Sequence, residues 1–187
     1  MLHYIEEYGK YVEITGYTNI SFDKAEAFLK ANRKQTKQQF DIQFFDAELI
    51  ATSEHLYFAT LYSLQAFQQK TNISKSVTVE TMLYASAKNQ IQKSIALLGI
   101  KQTTKNMAVI IIGLEQNQIK TVLQELTLCI GQEPDESILE MSKHKEENIK
   151  KAFQITDKEL LALTKSDTQT AIINLVVEHM ALLAVQL

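Results

Sequence analysis

The chain has 187 residues, 45% of them apolar and 22% charged, with 19 Lys and Arg against 22 Asp and Glu. That length suits one domain with a real core, and the apolar content excludes disorder as the main state. The pI near 5.8 argues against indiscriminate coating of nucleic acid or anionic membrane, since both need a broad positive field.

The elements follow from periodicity and punctuation. "KYVEITGY" (10–17) alternates with period two and predicts a half-buried strand ending at a glycine turn. "SFDKAEAFLKANRK" (21–34) predicts a helix, with Ser21 as N-cap and Asp23 in its first turn. "FDIQFFDAELI" (40–50) reads as a second strand. The helix "SEHLYFATLYSLQAFQQK" (53–70) follows, capped by Ser53, with Leu56, Leu61, Leu64 and Phe67 near helical spacing. The loop "TNISKS" leads into the helix that ends at "SIALLGI". On its wheel Tyr84, Ala87, Ile95 and Leu98 cluster around Ile91, while Ser86, Asn89 and Lys93 lie opposite and Lys88 and Gln92 fall between.

"NMAVIIIG" (106–113) is a short β-branched run, as expected of a central strand covered on both faces. "EQNQIKTVLQELTLCIG" (115–131) predicts a helix that Gly131 terminates. The only proline, Pro134 in "GQEPDES", marks the clearest linker-like point. "TDKE" (156–159) has the form of a capping box. The last helix, "DTQTAIINLVVEHMALLAVQL", is apolar nearly all round. The expected architecture is one α/β domain over 1–187, a small central β-sheet covered by helices, with a helical C-terminal part from about residue 142.

Little here supports catalysis. There is no glycine-rich phosphate loop, no C-x-x-C and no H-E-x-x-H, so no metal or cofactor is expected. His3, His55, His144 and His179 are scattered, and the neighbours Glu54-His55 and Glu178-His179 would point about 100° apart on a helix. An enzyme would need His55 or His179 to meet an acid from elsewhere. The lone Cys129 reads as a small hydrophobe on the apolar side of its helix and fits a reducing, cytoplasmic setting. No charged segment followed by an apolar run opens the chain, so no signal peptide is expected. Asn174, Glu178 and His179 interrupt the apolar C-terminal segment, which argues against a membrane span.

Two features remain. From Lys70 to Lys105 the chain holds six lysines (70, 75, 88, 93, 101, 105) and one acid, Glu80. That window is +5, so the rest of the chain is 13 − 21 = −8. A solvated helix face would ordinarily mix signs to gain i,i+4 pairs. Lysines among amides and hydroxyls, without carboxylates, suit a surface that holds phosphate and reads base edges. The second feature is the last helix, which either lies within its own core or finishes its burial against another protein. Its C-terminal position places it more readily at a domain edge, with Asn174 and Glu178 as a polar stripe on a hydrophobic partner surface.

Along "FDAELIATSEHLYFATLYSLQAF" (45–67), "ISKSVTVETMLYASAKNQIQKSIALLGI" (73–100), "NMAVIIIG" (106–113), "IKKAFQITDKELLAL" (149–163) and "VVEHMALLAV" (176–185), the chain resembles a known family. It is the kinase-binding accessory subunit of the KEOPS complex, the TPRKB-like family in its archaeal-type form. The resemblance implies a non-catalytic, cytoplasmic subunit without cofactor. Its partners would be the kinase-like ATPase subunit, tRNA and, indirectly, the rest of the complex, in threonylcarbamoyladenosine (t6A) tRNA modification. It implies kinase docking through Asn174, Val177, Glu178, Ala181, Leu182 and Val185. It also implies capture of the tRNA 3′ CCA end, for which Asn72, Ser74, Lys75, Tyr84, Lys88, Asn89, Gln90 and Lys93 are the candidates. The alternative is a pure protein–protein adaptor of the kinase without RNA binding. Two departures bear on this. The family's Arg-Gln-Ile is here Asn89-Gln90-Ile91, which removes a bidentate contact, and an Asp common after "ALL" is Ala184.

Overall fold

The computed structural model describes residues 1–33, 40–163 and 167–186; Lys34 and the Ala184 side chain, both named above, lie outside the described set. The chain forms two compact units, one from Met1–Ala47 with Ile100–Ile138 and one from Glu48–Gly99 with Leu139–Leu187.

The first unit is built on four antiparallel strands in the order β1-β2-β4-β3. These are β1 (Leu2–Ile5), β2 (Lys10–Tyr17), β3 (Phe40–Asp46) and β4 (Met107–Gly113). β4 is central and buried along its whole length, as its unbroken apolar run requires. It is flanked by β2 with Tyr17 opposite Met107, and by β3 with Asp46 opposite the same residue. Met107, Val109 and Ile111 join Tyr17, Ile42 and Phe44 in one core. That core is closed by Ala25, Phe28 and Leu29 of α1 (Phe22–Arg33) and by Ile119, Val122, Leu126 and Ile130 of α5 (Gln116–Ile130). Gly131 ends α5 in the left-handed region at φ 76°, where a side chain would be strained. Cys129 is half-buried against this core rather than inside it.

Three expectations change in this unit. The four-residue β1 was not foreseen, because "LHYI" is too short and mixed to show a period; Gly9 at φ 57° turns the chain from it into β2. The second strand ends at Asp46, and Ala47–Leu49 form a single 3-10 turn. Pro134 does not lie in a free linker. The Asp135 N–H donates to the Gly16 carbonyl at 2.8 Å, and a side chain on Gly16 would collide with Ile138. The stretch after Pro134 is thereby fastened to β2, and the unit ends at Ile138.

The second unit is helical: α2 (Ser53–Gln69), α3 (Val77–Ser86), α4 (Ile91–Leu98), α6 (Lys143–Phe153), α7 (Asp157–Ala162) and α8 (Thr168–Gln186). Its helices therefore come from the middle of the chain as well as from the C-terminal part. Thr52, not Ser53, caps α2, its hydroxyl accepting the His55 N–H. The capping box of Thr156 and Glu159 forms as its spacing predicts.

α8 packs against α2, α3, α6 and α7. Its Ile172, Leu175 and Val176 join Ala51, Ile149, Phe153 and Ile155 in the core. It is thus central to its unit rather than at an edge, which explains why three sides of it are apolar.

The single helix expected through residue 98 is two helices. Ala87 adopts the left-handed conformation at φ 50°, and the Ala87 and Lys88 N–H groups close α3 on the Tyr84 and Leu83 carbonyls. The chain restarts as α4 with a new rotational setting, so the wheel fails. Ile91 and Ile95, placed at the centre of the apolar face, are 36% and 50% exposed, whereas Ser86, placed opposite, is fully buried. The break was unsignalled because alanine is among the strongest helix formers and rarely takes a positive φ.

Candidate functional site

The loop before α3 is organised from beneath by Glu80. This carboxylate is completely buried, Oε1 accepting the Ile73 N–H at 3.1 Å and Oε2 the Ser74 N–H at 2.7 Å. The Asn72 amide donates to the Ser74 carbonyl at 2.8 Å, and the Ser74 hydroxyl donates to the Ser76 carbonyl at 2.6 Å. Asn72 and the buried Ser74 therefore brace the loop, while Lys75 stands exposed on it. The one acid of the lysine-rich window is internal. The side chains that reach solvent from this loop and from the α3–α4 junction include Lys75, Asn89, Gln90 and Lys93, with Lys88 half-buried, and no carboxylate lies among residues 71–93 except Glu80.

Tyr84 is almost fully buried, its ring 5.6 Å from that of Tyr62. Burial, and then the Glu80 carboxylate, raise its phenol above the ordinary tyrosine value, which keeps it a neutral hydrogen-bond donor. It lines a shallow cleft with Tyr62, Gln65, Gln69, Ala181 and Val185. Sequence reasoning missed Tyr62, Gln65 and Gln69. Their spacing along α2 was visible, but not that α8 would lie beside them.

On α8 the outward strip runs through Asn174, Glu178, Leu182 and Val185, with Val177 and Ala181 half-buried at its margin. Leu182 is 50% and Val185 85% exposed, so the end of this helix leaves apolar surface uncovered. A second cleft holds Leu182 and His179 together with Lys88 and Gln154. Residues expected to meet a protein partner and residues expected to meet RNA thus share cleft walls, Leu182 with Lys88 in one and Ala181 and Val185 with Tyr84 in the other.

His55 and His179 sit in different surroundings. His55 is fully buried, its Nδ1 accepting the Ala51 N–H at 3.2 Å and its Nε2 donating to the Ala85 carbonyl at 2.7 Å. Burial lowers its pKa to about 4, so it is a neutral structural tie. His179 does meet an acid, with Nε2 3.7 Å from Glu159 Oε1. That carboxylate already accepts from the Thr156 backbone and hydroxyl, which hold it below the usual range and make it a weak base. Among the described residues, no cluster of His, Cys, Asp and Glu could hold a metal, and no helix is long and apolar enough to cross a membrane.

The model of the kinase binding protein CGI-121 family matches residues 17–184, from the end of β2 almost to the end of α8. The chain belongs to this family. It is also 31% identical over 113 residues to the regulatory protein Cgi121 of Methanocaldococcus jannaschii, across 60% of this chain and 70% of that protein. Membership covers both units.

Proposed function

We propose that this protein is the non-catalytic KEOPS subunit that docks on the kinase-like ATPase of that assembly through α8. In this reading it acts in the cytoplasm as one accessory-subunit domain and recruits tRNA by its 3′ CCA end for t6A modification. The observation that carries the reading is the uncovered Leu182 and Val185 on the last helix of a chain in a kinase-binding family. Tight partner interfaces centre on such desolvated apolar anchors, with polar groups like Asn174 and Glu178 at the rim.

The RNA half is supported by the exposed Lys75, Lys93, Asn89 and Gln90, and by the withdrawal of Glu80 from the same surface. A short single strand needs few phosphate contacts and faces that bases can stack on or bond to, and Tyr62 and Gln65 at the mouth of the cleft over the buried Tyr84 offer such groups. The test is twofold: co-purification with the partner kinase, and filter binding of tRNA with and without its CCA end. A second reading, a kinase adaptor without RNA binding, draws on Asn89 in place of arginine and on the burial of Ser74 and Tyr84. Equal affinity for intact and trimmed tRNA would decide for it.

A further inference from the structure

We infer that Glu80 is a positioning residue for RNA capture: its buried carboxylate builds the turn that presents Lys75. The inference rests on the RNA reading above and names a residue that reading does not include. Glu80 is 0% exposed, and among the described residues no lysine or arginine forms an ion pair with it. A buried carboxylate without a counter-ion is tolerated only where hydrogen bonds satisfy it. Here two successive backbone N–H groups, of Ile73 and Ser74, do so, one to each oxygen.

Consecutive amides that converge on an anion form a nest, the kind of backbone concavity that elsewhere binds phosphate. In this chain its occupant is internal. Two consequences follow for the surface. The loop backbone is committed to Glu80, so a phosphate from outside has to be met by side chains, foremost the exposed Lys75 one residue beyond the nest. The negative charge that would screen those lysines is held beneath the loop instead of among them.

The geometry also says how the arrangement fails. Glu80→Gln keeps the shape but offers one acceptor oxygen to two donors, and turns an NH2 group against the other N–H. The loop should loosen at Ile73 and Ser74 while α8, which Glu80 does not hydrogen-bond, keeps its outer strip. A purely structural role would slow or weaken folding without altering which tRNA end is preferred.

The experiment compares wild type, Glu80→Gln and Asn72→Ala, the last removing the brace on the Ser74 carbonyl from a half-buried position. Three quantities are measured: amide exchange at Ile73 and Ser74, the affinity ratio for tRNA with and without its CCA end, and kinase co-purification. In Glu80→Gln, exchange at both amides should rise and the affinity ratio should fall about tenfold, equivalent to about 1.4 kcal/mol, with the kinase still bound. A folded Glu80→Gln protein with the wild-type ratio overturns the inference. If that variant does not fold, Asn72→Ala decides: a reduced ratio together with faster exchange at Ile73 and Ser74 supports positioning, and an unchanged ratio, or a reduced one without faster exchange, overturns it. A ratio of one in the wild type overturns the RNA reading itself and this inference with it.

Discussion

Ser86 and Ser94 hold their hydroxyls 2.8 Å apart. In one continuous helix, residues eight positions apart are separated by about 12 Å along the axis, so this contact exists only because α3 breaks at Ala87. Both serines are buried; Ser94 donates to the Gln90 carbonyl, and Ser86 shares its one proton between Ser94 and the Leu83 carbonyl 2.9 Å away. Ser86→Ala or Ser94→Ala should each lower unfolding free energy by about 1 kcal/mol. The double variant should cost less than the sum, because both singles lose the same bond. Urea titration of the three variants measures this; strict additivity would mean that the hydroxyl contact contributes nothing.

The same break makes a prediction of opposite sign. Ala87 sits at φ 50°, in a region that alanine enters at a cost and glycine does not. Ala87→Gly should stabilise the protein by roughly 0.5–1 kcal/mol, even after the greater freedom of glycine in the unfolded chain. Thermal and urea midpoints should both rise. A fall would show that the Ala87 methyl, packed at the margin of the α6–α8 core, contributes more than its backbone conformation costs.

The legibility of the molecule divides along the same lines. β2, β4, α2 and α5 were plain in the sequence because their patterns are long and end at real stop signals, Gly131 above all. β4 in particular was recognisable as central from seven consecutive apolar or small residues. The α3–α4 junction was not, since nothing marks Ala87, and one misplaced rotation inverted the assignment of Ile91 and Ser86. Of the site, the want of acids among the lysines was visible, but its reason was not: a carboxylate six or seven residues from the amides it binds leaves no periodic trace. The apolar character of α8 was visible too. Its division into a core face and an outer strip appeared only once four helices had been packed against it.

His55 predicts a specific pH response. Its folded-state pKa is depressed from 6.5 to about 4 by burial, opposed by its bond to the Ala85 carbonyl and reinforced by the Lys145 charge. The unfolded chain therefore binds the extra proton first. The contribution of this group is fully present above about pH 6.5 and is lost as pH falls from there toward 4, on the order of 3 kcal/mol in all. Urea midpoints of the wild type should drop through that window. His55→Gln should be less stable at pH 7, having lost one of two ties between Ala51 and Ala85, and should show a flatter slope between pH 6.5 and 4. An unchanged slope would exclude His55 as the titrating group.

For the kinase surface, where a side chain sits on α8 decides what its loss reports. Ending the chain at Asp167 would remove Ile172, Leu175 and Val176 from the core and should unfold the helical unit, so it says nothing about docking. Val177 and Ala181 are half-buried and mix the two effects. Val185 and Leu182 are the clean probes. Val185→Asp should leave the unfolding midpoint near that of the wild type and weaken kinase binding by about 2 kcal/mol or more, since it buries an uncompensated charge at a hydrophobic contact. Wild-type affinity for both Val185→Asp and Leu182→Asp would remove α8 from the interface.

The lysine surface is best judged by its salt dependence. A trinucleotide end offers few phosphates, so the slope of log K against log salt should be shallow, about two to four contacts at roughly 0.7 each. Lys75→Glu or Lys93→Glu should weaken binding of CCA-ended tRNA and flatten that slope by about 0.7, as one phosphate partner is lost. Gln90→Ala should cost affinity with the slope unchanged, provided its exposed amide meets a base or sugar. The control for net charge must be Lys143 and not its neighbour Lys145. Lys143 is exposed, whereas Lys145 is buried, donates to the Glu140 carbonyl at 3.2 Å and has its pKa lowered to about 8 by burial. Reversing Lys145 would damage the helical unit, and reversing Lys143 should leave RNA binding nearly as it was. Filter-binding titrations at several salt concentrations separate these outcomes. If Lys143→Glu weakens binding as much as Lys75→Glu, only the overall charge matters and the lysines around α3 and α4 form no site.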